Sequence, residues 1–304
     1  MKLGLLTAIL GDKTFEEVVK TASRIGYQCL EVACWPKGKA ERRYAGVSHI
    51  DVDNIDDSEK KRILALCKDN DIAISALGYY PNTMDPDLAK REVYVSHLKN
   101  IIKAAARLGV DTVGTFVGRD PKRNVDDNLK IFSEVWPDII RTAEENKVRI
   151  AIENCPMLFT NDEWPGGQNL ATSPAIWRKL YEIVPSQNFG LNFDPSHFIW
   201  QQMDYIAAIR EFGERIFHIH FKDIKLYPER LARLGVMATP LQYMSPKLPG
   251  LGDVDWSRFV SALYDIGYDG PACVEVEDRA FEGSPERVLA SLELSYGYMR
   301  QWVR

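Results

Sequence analysis

Short apolar segments alternate along the chain with longer segments in which apolar residues recur every three or four positions. The short segments are rich in β-branched residues, and this alternation is typical of buried parallel strands connected by amphipathic helices. Eight strands are predicted, at residues 2–6, 28–33, 72–76, 111–116, 149–152, 188–193, 216–221 and 272–276. Helices are predicted at residues 15–25, 57–69, 90–108, 126–146, 175–182, 256–265 and 285–302.

The number of strands distinguishes the two common α/β architectures. Eight strand–helix units close a barrel, whereas an open doubly wound sheet usually has fewer strands and a GxGxxG turn after the first one. That turn is absent after Leu6. Glycine, which can end a helix in the left-handed conformation, follows three of the helices, in RIGYQ, RLGVD and DIGYD. We therefore predict an α/β protein with a single (β/α)8 TIM-barrel domain over residues 1–304.

Two segments are longer than a minimal barrel needs. Residues 156–173 and 226–252 are rich in proline and glycine, and both follow predicted strands. Loops of this length usually serve a site, and barrel enzymes place their chemistry on the face where the strands end. We expect two long βα loops that enlarge and cover the pocket, which favours substrates bigger than a free pentose.

Composition narrows the choice of partner and compartment. The net charge of −5 and the scattered lysines and arginines give no basic surface for nucleic acid. No apolar run approaches the roughly 20 residues that cross a bilayer, and the opening MKLGLLTAIL is predicted to be a strand and not a signal peptide. The five cysteines lack CxxC spacing. We expect a soluble cytoplasmic protein that binds neither membrane nor nucleic acid, and a homo-oligomer is left open.

Groups that can bind a metal follow four consecutive predicted strands. Glu153 ends the fifth, Asp194 the sixth, His218 and His220 the seventh, and Glu275 the eighth. Any one of them could be a helix cap or a surface charge, but three carboxylates gathered at one rim would repel each other without a cation. An oxygen-rich set with one imidazole suits Mn²⁺, Mg²⁺ or Co²⁺ better than a thiolate-type zinc site.

These strand ends belong to a series of motifs found in a known family. In order they are AIEN, FDPSH, HIHFKD, PGLGDVDWSRF and GYDGPACVEVED. The chain resembles the xylose-isomerase-like barrel family of sugar isomerases and epimerases, which also includes inosose dehydratases and is related to endonuclease IV. The resemblance implies one divalent ion, with Mn²⁺ favoured and Mg²⁺, Co²⁺ or Zn²⁺ open, bound by four ligands: Glu153, Asp194, His220 and Glu275.

The resemblance also implies a reaction. In relatives, proton transfer proceeds through a metal-bound enediolate of a keto-sugar, and the glutamates matching Glu153 and Glu275 carry the proton. His197 matches a histidine that contacts the substrate and can polarise its oxygen. A sugar isomerase or epimerase is the preferred prediction. The alternative is a metal-dependent lyase or dehydratase acting on a keto-inositol or a 3-keto glycoside, because both reactions begin with loss of a proton beside a carbonyl.

Aromatic and polar residues near the other strand ends are predicted to contact the substrate. They are Trp35, Tyr80, Asn82, Phe116 and Lys222. Endonuclease IV relatives need extra histidines after strands two to four, but this chain has five histidines in all, so a three-metal nuclease is disfavoured. Lys222 and Asp223 could bind a substrate hydroxyl or form a surface ion pair.

Two further alternatives concern the class of function and of substrate. The barrel could bind a ligand without catalysis, although all four ligand positions are filled. No phosphate-binding loop is evident, since Gly250 and Gly252 lie in the family's ordinary PGxG turn. A small unphosphorylated sugar or sugar derivative is therefore the expected partner.

Overall fold

Eight parallel strands close a barrel in the computed structural model, which describes residues 1–36, 44–158 and 166–303. The barrel strands are β1 (Lys2–Leu6), β2 (Cys29–Ala33), β3 (Ala73–Gly78), β4 (Thr112–Thr115), β5 (Arg149–Glu153), β6 (Phe189–Phe193), β7 (Ile216–Phe221) and β10 (Pro271–Val274). Their order around the barrel is β1-β10-β7-β6-β5-β4-β3-β2. The predicted (β/α)8 barrel is confirmed, with strand bounds within two residues of those predicted.

Helices surround the barrel and cover its outer face. They are α1 (Phe15–Ile25), α2 (Asp57–Asp69), α3 (Leu88–Leu108), α4 (Val125–Glu145), α5 (Pro174–Ile183), α6 (Ser196–Trp200), α7 (Tyr205–Phe212), α8 (Pro228–Leu234), α9 (Trp256–Asp265) and α10 (Pro285–Met299). Seven of them were predicted. The sequence analysis did not predict α6, α7 and α8.

Helix α1 shows how local sequence sets these elements. Thr14 and Glu17 form a reciprocal capping box at its start, which satisfies backbone N–H groups that lack helical partners. Val18, Val19 and Ala22 are buried on one face, and Gly26 ends the helix at φ +111°. The glycine has no side chain to clash in that left-handed conformation.

The segment at 226–252, expected to be a long loop, has regular structure of its own. It contains α8, and its strand β9 (Met244–Lys247) pairs antiparallel with β8 (Asp223–Leu226) outside the barrel. Asp223 anchors the turn that follows, accepting hydrogen bonds from the backbone N–H groups of Gly250 and Val254 and from the Trp256 indole. The side chain of Asp223 is thus occupied in holding this turn, and it forms no surface ion pair with Lys222.

Part of the other long segment, residues 159–165, lies outside the described residues. Within the described ranges, no helix is both long and apolar enough to cross a membrane.

Candidate metal centre

Four strand ends bring the predicted ligands to one rim of the barrel. Glu153 is the last residue of β5, Asp194 follows β6, His220 lies in β7 and Glu275 follows β10. Ligand atoms of Glu153, His220 and Glu275 lie within 4.8 Å of one another. Nδ1 of His220 is 3.1 Å from Oε2 of Glu275 and 3.7 Å from Oε1 of Glu153. Parallel strands end on the same face, which is why sequence positions so far apart meet here.

Asp194 joins this group through His197. Oδ2 of Asp194 is 3.1 Å from Nε2 of His197, which is itself 3.7 Å from Oε1 of Glu153. The backbone of Asp194 is held by Asn154, whose amide accepts from the Asp194 N–H and donates to its carbonyl, both at 2.9 Å. The other carboxylate oxygen of Asp194 accepts the N–H of Ser196 at 2.7 Å.

Five buried polar atoms point into this space without a hydrogen-bond partner among the described residues. They are Oε1 of Glu153, Oδ2 of Asp194, Nε2 of His197, Nδ1 of His220 and Oε2 of Glu275. A buried polar atom left unpaired costs about 1–3 kcal/mol. Lys222 and His197 lie within ion-pair distance of Oδ2 of Asp194, and Lys222 and His220 within that distance of Oε2 of Glu275, so these carboxylates are already balanced in part. Four of the five atoms belong to the predicted ligands, and a divalent cation would bind those four together. The residues present therefore fit the metal that the sequence predicts.

Lys222 extends its ammonium group into the same cluster. Its Nζ is 2.9 Å from Oε2 of Glu275, 3.0 Å from Oδ2 of Asp194 and 3.7 Å from Oε1 of Glu153. A fourth carboxylate, that of Glu277, lies 3.4 Å away. Lys222 is 3% exposed, so the surface ion pair considered from the sequence is wrong. Glu277 was not predicted from the sequence to be a site residue. Its two-residue spacing from Glu275 could have indicated it, because this spacing places both side chains on one face of an extended chain.

The surroundings push the pKa values of the two glutamates apart. Burial favours the neutral form of both, but Lys222 and His220 lower the pKa of Glu153 well below its usual value. For Glu275 burial prevails, and its pKa is raised despite Lys222. Burial likewise opposes the charge of Lys222, yet the carboxylates of Asp194 and Glu275 raise the pKa of Lys222 well above its usual value. A pair of carboxyl groups separated in this way is what an acid and a base require.

A pocket opens beside the cluster, and four of the five predicted substrate contacts line it. They are Trp35, Tyr80, Phe116 and Lys222. The rings of Tyr80 and Phe116 meet edge to face with centroids 4.9 Å apart, and Met157 packs with them. Asn82 is not in the described lining; its amide donates to the backbone carbonyl of Arg119 and accepts from the Arg119 N–H, which links the loops after β3 and β4.

The two long segments differ in their relation to this pocket. Cys155, just before the first segment, and Met157 within it line the pocket, whereas none of the described lining residues comes from 226–252. The second segment packs instead through Tyr243 in a cluster with Trp200 and with Ile224 of β8. The indole N–H of Trp200 points at Nδ1 of His197, at 3.5 Å. This contact favours the tautomer of His197 in which Nε2 carries the proton and can donate to an oxygen in the pocket.

Comparison with protein families gives one match over most of the chain. The family model described as xylose isomerase-like TIM barrel matches residues 19–299.

Among curated proteins, one is similar to this chain over nearly its full length, and others are similar over about a third of it or more. The uncharacterized protein YfiH of Bacillus subtilis (strain 168) is 28% identical over 312 residues, which cover 94% of this chain and 95% of YfiH. The inosose dehydratase of Lactiplantibacillus plantarum is 26% identical over 114 residues, 37% of each chain.

Similar solved structures share the fold at low sequence identity. D-psicose 3-epimerase from Clostridium cellulolyticum H10 matches with a TM-score of 0.72 at 16% identity over all of both chains. The IOLI protein, solved with a bound zinc atom, matches with a TM-score of 0.70 at 18% identity over 99% of this chain and 96% of that one. The 3-keto-D-glucoside 4-epimerase YcjR from E. coli matches with a TM-score of 0.71 at 14% identity over 99% of both chains.

Proposed function

Because the chain belongs to the xylose isomerase-like TIM-barrel family, we propose that it is a divalent-metal-dependent sugar isomerase or epimerase. The observation that carries the proposal is the convergence of buried ligand atoms of Glu153, Asp194, His220 and Glu275, none of which has a hydrogen bond of good geometry among the described residues, beside a pocket that Glu153 and Glu275 line. Glu153, Asp194, His220 and Glu275 would hold the ion. When bound, the ion polarises a sugar oxygen and stabilises negative charge beside the carbon that loses a proton.

Glu153 and Glu275 are proposed to carry the proton. Both line the pocket, and they flank Nδ1 of His220. One of the two would accept the proton from the reacting carbon and the other would return one to it. His197 would donate from Nε2 to the oxygen on which charge develops.

The charge of the site favours a neutral substrate. Four carboxylates lie around one ammonium group, that of Lys222, so acidic groups outnumber basic side chains of lysine type at the site. Lys222 is the one cationic side chain that the structure describes in the pocket lining. A phosphorylated sugar would meet this field unfavourably, so a free keto-sugar or a glycoside is the proposed substrate class, with Trp35, Tyr80 and Phe116 packing against its apolar faces.

The test is exchange of the substrate proton with deuterated water, measured over a panel of ketoses and 3-keto glycosides. Glu153→Gln and Glu275→Gln should each lower the exchange rate by at least about 100-fold, the usual worth of a positioned acid or base. Glu286→Gln, on the exposed start of α10, is the matched control and should exchange at the wild-type rate. Undiminished exchange in both site variants would contradict the two-glutamate assignment.

A metal-dependent lyase or dehydratase is the second candidate. The partial similarity to inosose dehydratases supports it, and elimination from a keto-inositol or 3-keto glycoside would use the same first proton transfer. Product analysis separates the two: an epimer or isomer retains the mass of the substrate, whereas elimination yields an unsaturated ketone that absorbs in the ultraviolet.

A further inference from the structure

Glu31 is a fully buried carboxylate in the middle of a barrel strand. It lies in β2, whose other residues are Cys29, Leu30, Val32 and Ala33, and its exposed fraction is 0%. A charged group in such a place is costly unless it is closely paired. Glu31 has no part in the proton transfer or in the ligand set proposed above.

The partners of Glu31 connect it to the metal centre from behind. Its Oε2 is 2.7 Å from Nε2 of His220, and its Oε1 accepts the hydroxyl hydrogen of Tyr80. Asn192 donates to the same hydroxyl oxygen at 3.0 Å and lies 2.9 Å from Nε2 of His220. All four side chains are at most 8% exposed, so water does not compete for these contacts.

Two glycines on neighbouring strands leave room for this group. A methyl group at Gly78 would lie 2.6 Å from Oε1 of Glu31, and one at Gly114 would lie 2.9 Å from it and closer still to the Tyr80 hydroxyl. Any larger residue would have to displace Glu31 or Tyr80. The space inside β3 and β4 is thus shaped around the Glu31 carboxylate.

The position of the proton follows from this arrangement. The Asn192 amide nitrogen could donate to Nε2 of His220 only if Nε2 lacked a hydrogen, and a bare Nε2 would set its lone pair 2.7 Å from the Glu31 carboxylate. A carboxylate accepts and does not donate, so the hydrogen between Glu31 and His220 belongs to Nε2 of the imidazole. A neutral imidazole that is protonated at Nε2 has its lone pair on Nδ1. That atom faces Glu153 and Glu275 at 3.7 and 3.1 Å and is the one that can bind a cation.

We infer that Glu31 is a positioning residue that fixes the ring orientation and tautomer of His220, so that Nδ1 is its metal-binding nitrogen. Tyr80 extends this link to the pocket, because its ring lines the pocket while its hydroxyl holds Glu31. The inference rests on the metal site proposed above. Contacts of this kind behind a ligating histidine typically change metal affinity by 10–100-fold.

The experiment is a Co²⁺ titration of the full chain. Calorimetry measures the affinity, and the visible absorption of the bound ion reports its ligand field. Glu31→Gln should weaken Co²⁺ binding roughly 10–100-fold and change the absorption bands, because ring orientation alters the ligand field. Tyr80→Phe keeps the ring and removes the hydroxyl, and should weaken binding in the same direction. Should Glu31→Gln fail to fold, Tyr80→Phe tests the same contact.

Tyr27→Phe is the matched control. Tyr27 is also buried, and its hydroxyl donates to the Leu292 carbonyl at 2.9 Å, away from the cluster. This variant should bind Co²⁺ as the wild type does. Wild-type affinity and spectrum in both Glu31→Gln and Tyr80→Phe would overturn the role of Glu31 while leaving the metal site intact. Failure of the wild-type protein to bind Co²⁺ would instead overturn the metal site itself.

Discussion

The ammonium nitrogen of Lys222 lies 2.9 Å from Oε2 of Glu275, inside the group of atoms that would bind the metal. It is also 3.0 Å from Oδ2 of Asp194. A monovalent cation and a divalent ion would therefore be attracted to the same carboxylates. Since both cannot share one position, Lys222 should oppose metal binding as well as contact substrate.

Removal of this ammonium group should tighten metal binding. At an effective dielectric constant of about 20, unit charges 4 Å apart interact by roughly 4 kcal/mol. Lys222→Met removes the repulsion between the ammonium group and the ion, and relief of only part of this energy should make Mn²⁺ binding at least about tenfold tighter. The metal-free variant should also unfold more easily, because its buried carboxylates lose their counter-charge. Calorimetric titration and denaturant unfolding measure the two effects.

Lys225→Met provides the control for Lys222→Met. Lys225 is three residues further along and pairs with Asp253 near the surface, so its loss should leave Mn²⁺ affinity unchanged. Equal or weaker Mn²⁺ binding by Lys222→Met would show that the lysine does not compete with the ion.

Gly114→Ala should destabilise the barrel interior. The added methyl group would press on Oε1 of Glu31 at 2.9 Å and on the Tyr80 hydroxyl, and overpacking of this kind typically costs about 1–3 kcal/mol. Gly297→Ala is the control, because Gly297 is exposed near the end of α10 with nothing within 4 Å of the added atom. There alanine should be neutral or stabilise by up to about 1 kcal/mol. Denaturant unfolding compares the two, and equal stability of both variants would contradict the packing described for Glu31.

The eight barrel strands and most of the helices could be predicted because each has a strong local signal. Most strand residues are buried and apolar, and the helices carry caps such as Thr14 and glycine ends such as Gly26. Helix α7 was not predicted, although Asp204 caps it in the usual manner. The β8–β9 pair was also not predicted, because its strands have four residues each and half-buried, mixed sequences.

The strand-end residues of the site could be predicted for a similar reason, since parallel topology brings them to one rim. Glu31 and Lys222 show what sequence alone did not provide. The single charge in CLEVA is a signal that could have been weighed, because an isolated glutamate within an apolar strand needs a buried partner. The direction of the Lys222 side chain, in contrast, depends on the three-dimensional arrangement of four carboxylates and has no local signal.

The stability of the protein should be sensitive to acid through His49. Thr7 accepts the Ala33 N–H and so is expected to donate its hydroxyl hydrogen to Nδ1 of His49, while Nε2 bonds the Leu10 carbonyl at 3.1 Å. Burial lowers the pKa of His49 below its usual value of 6.5. A depressed folded-state pKa gives stability that is present above the unfolded pKa and lost as the pH falls below it.

His49→Gln should therefore flatten the dependence of unfolding free energy on pH below about 6.5, the usual pKa of histidine. Glutamine keeps a donor and an acceptor but does not titrate. Urea unfolding of both proteins from about pH 7.5 to 5 checks this, and parallel curves for the variant and the wild type would show that His49 does not contribute.

The metal content of the purified protein tests the central claim most directly. Elemental analysis of wild-type protein that was prepared without chelator and incubated with Mn²⁺, Co²⁺, Mg²⁺ or Zn²⁺ should find about one ion per chain after desalting, as expected for one site with four protein ligands. Glu153→Gln and Asp194→Asn should lose that ion, while Glu286→Gln keeps it. Absence of metal from the wild-type protein after incubation, or equal content in all variants, would contradict the proposed metal centre and the enzyme function built on it.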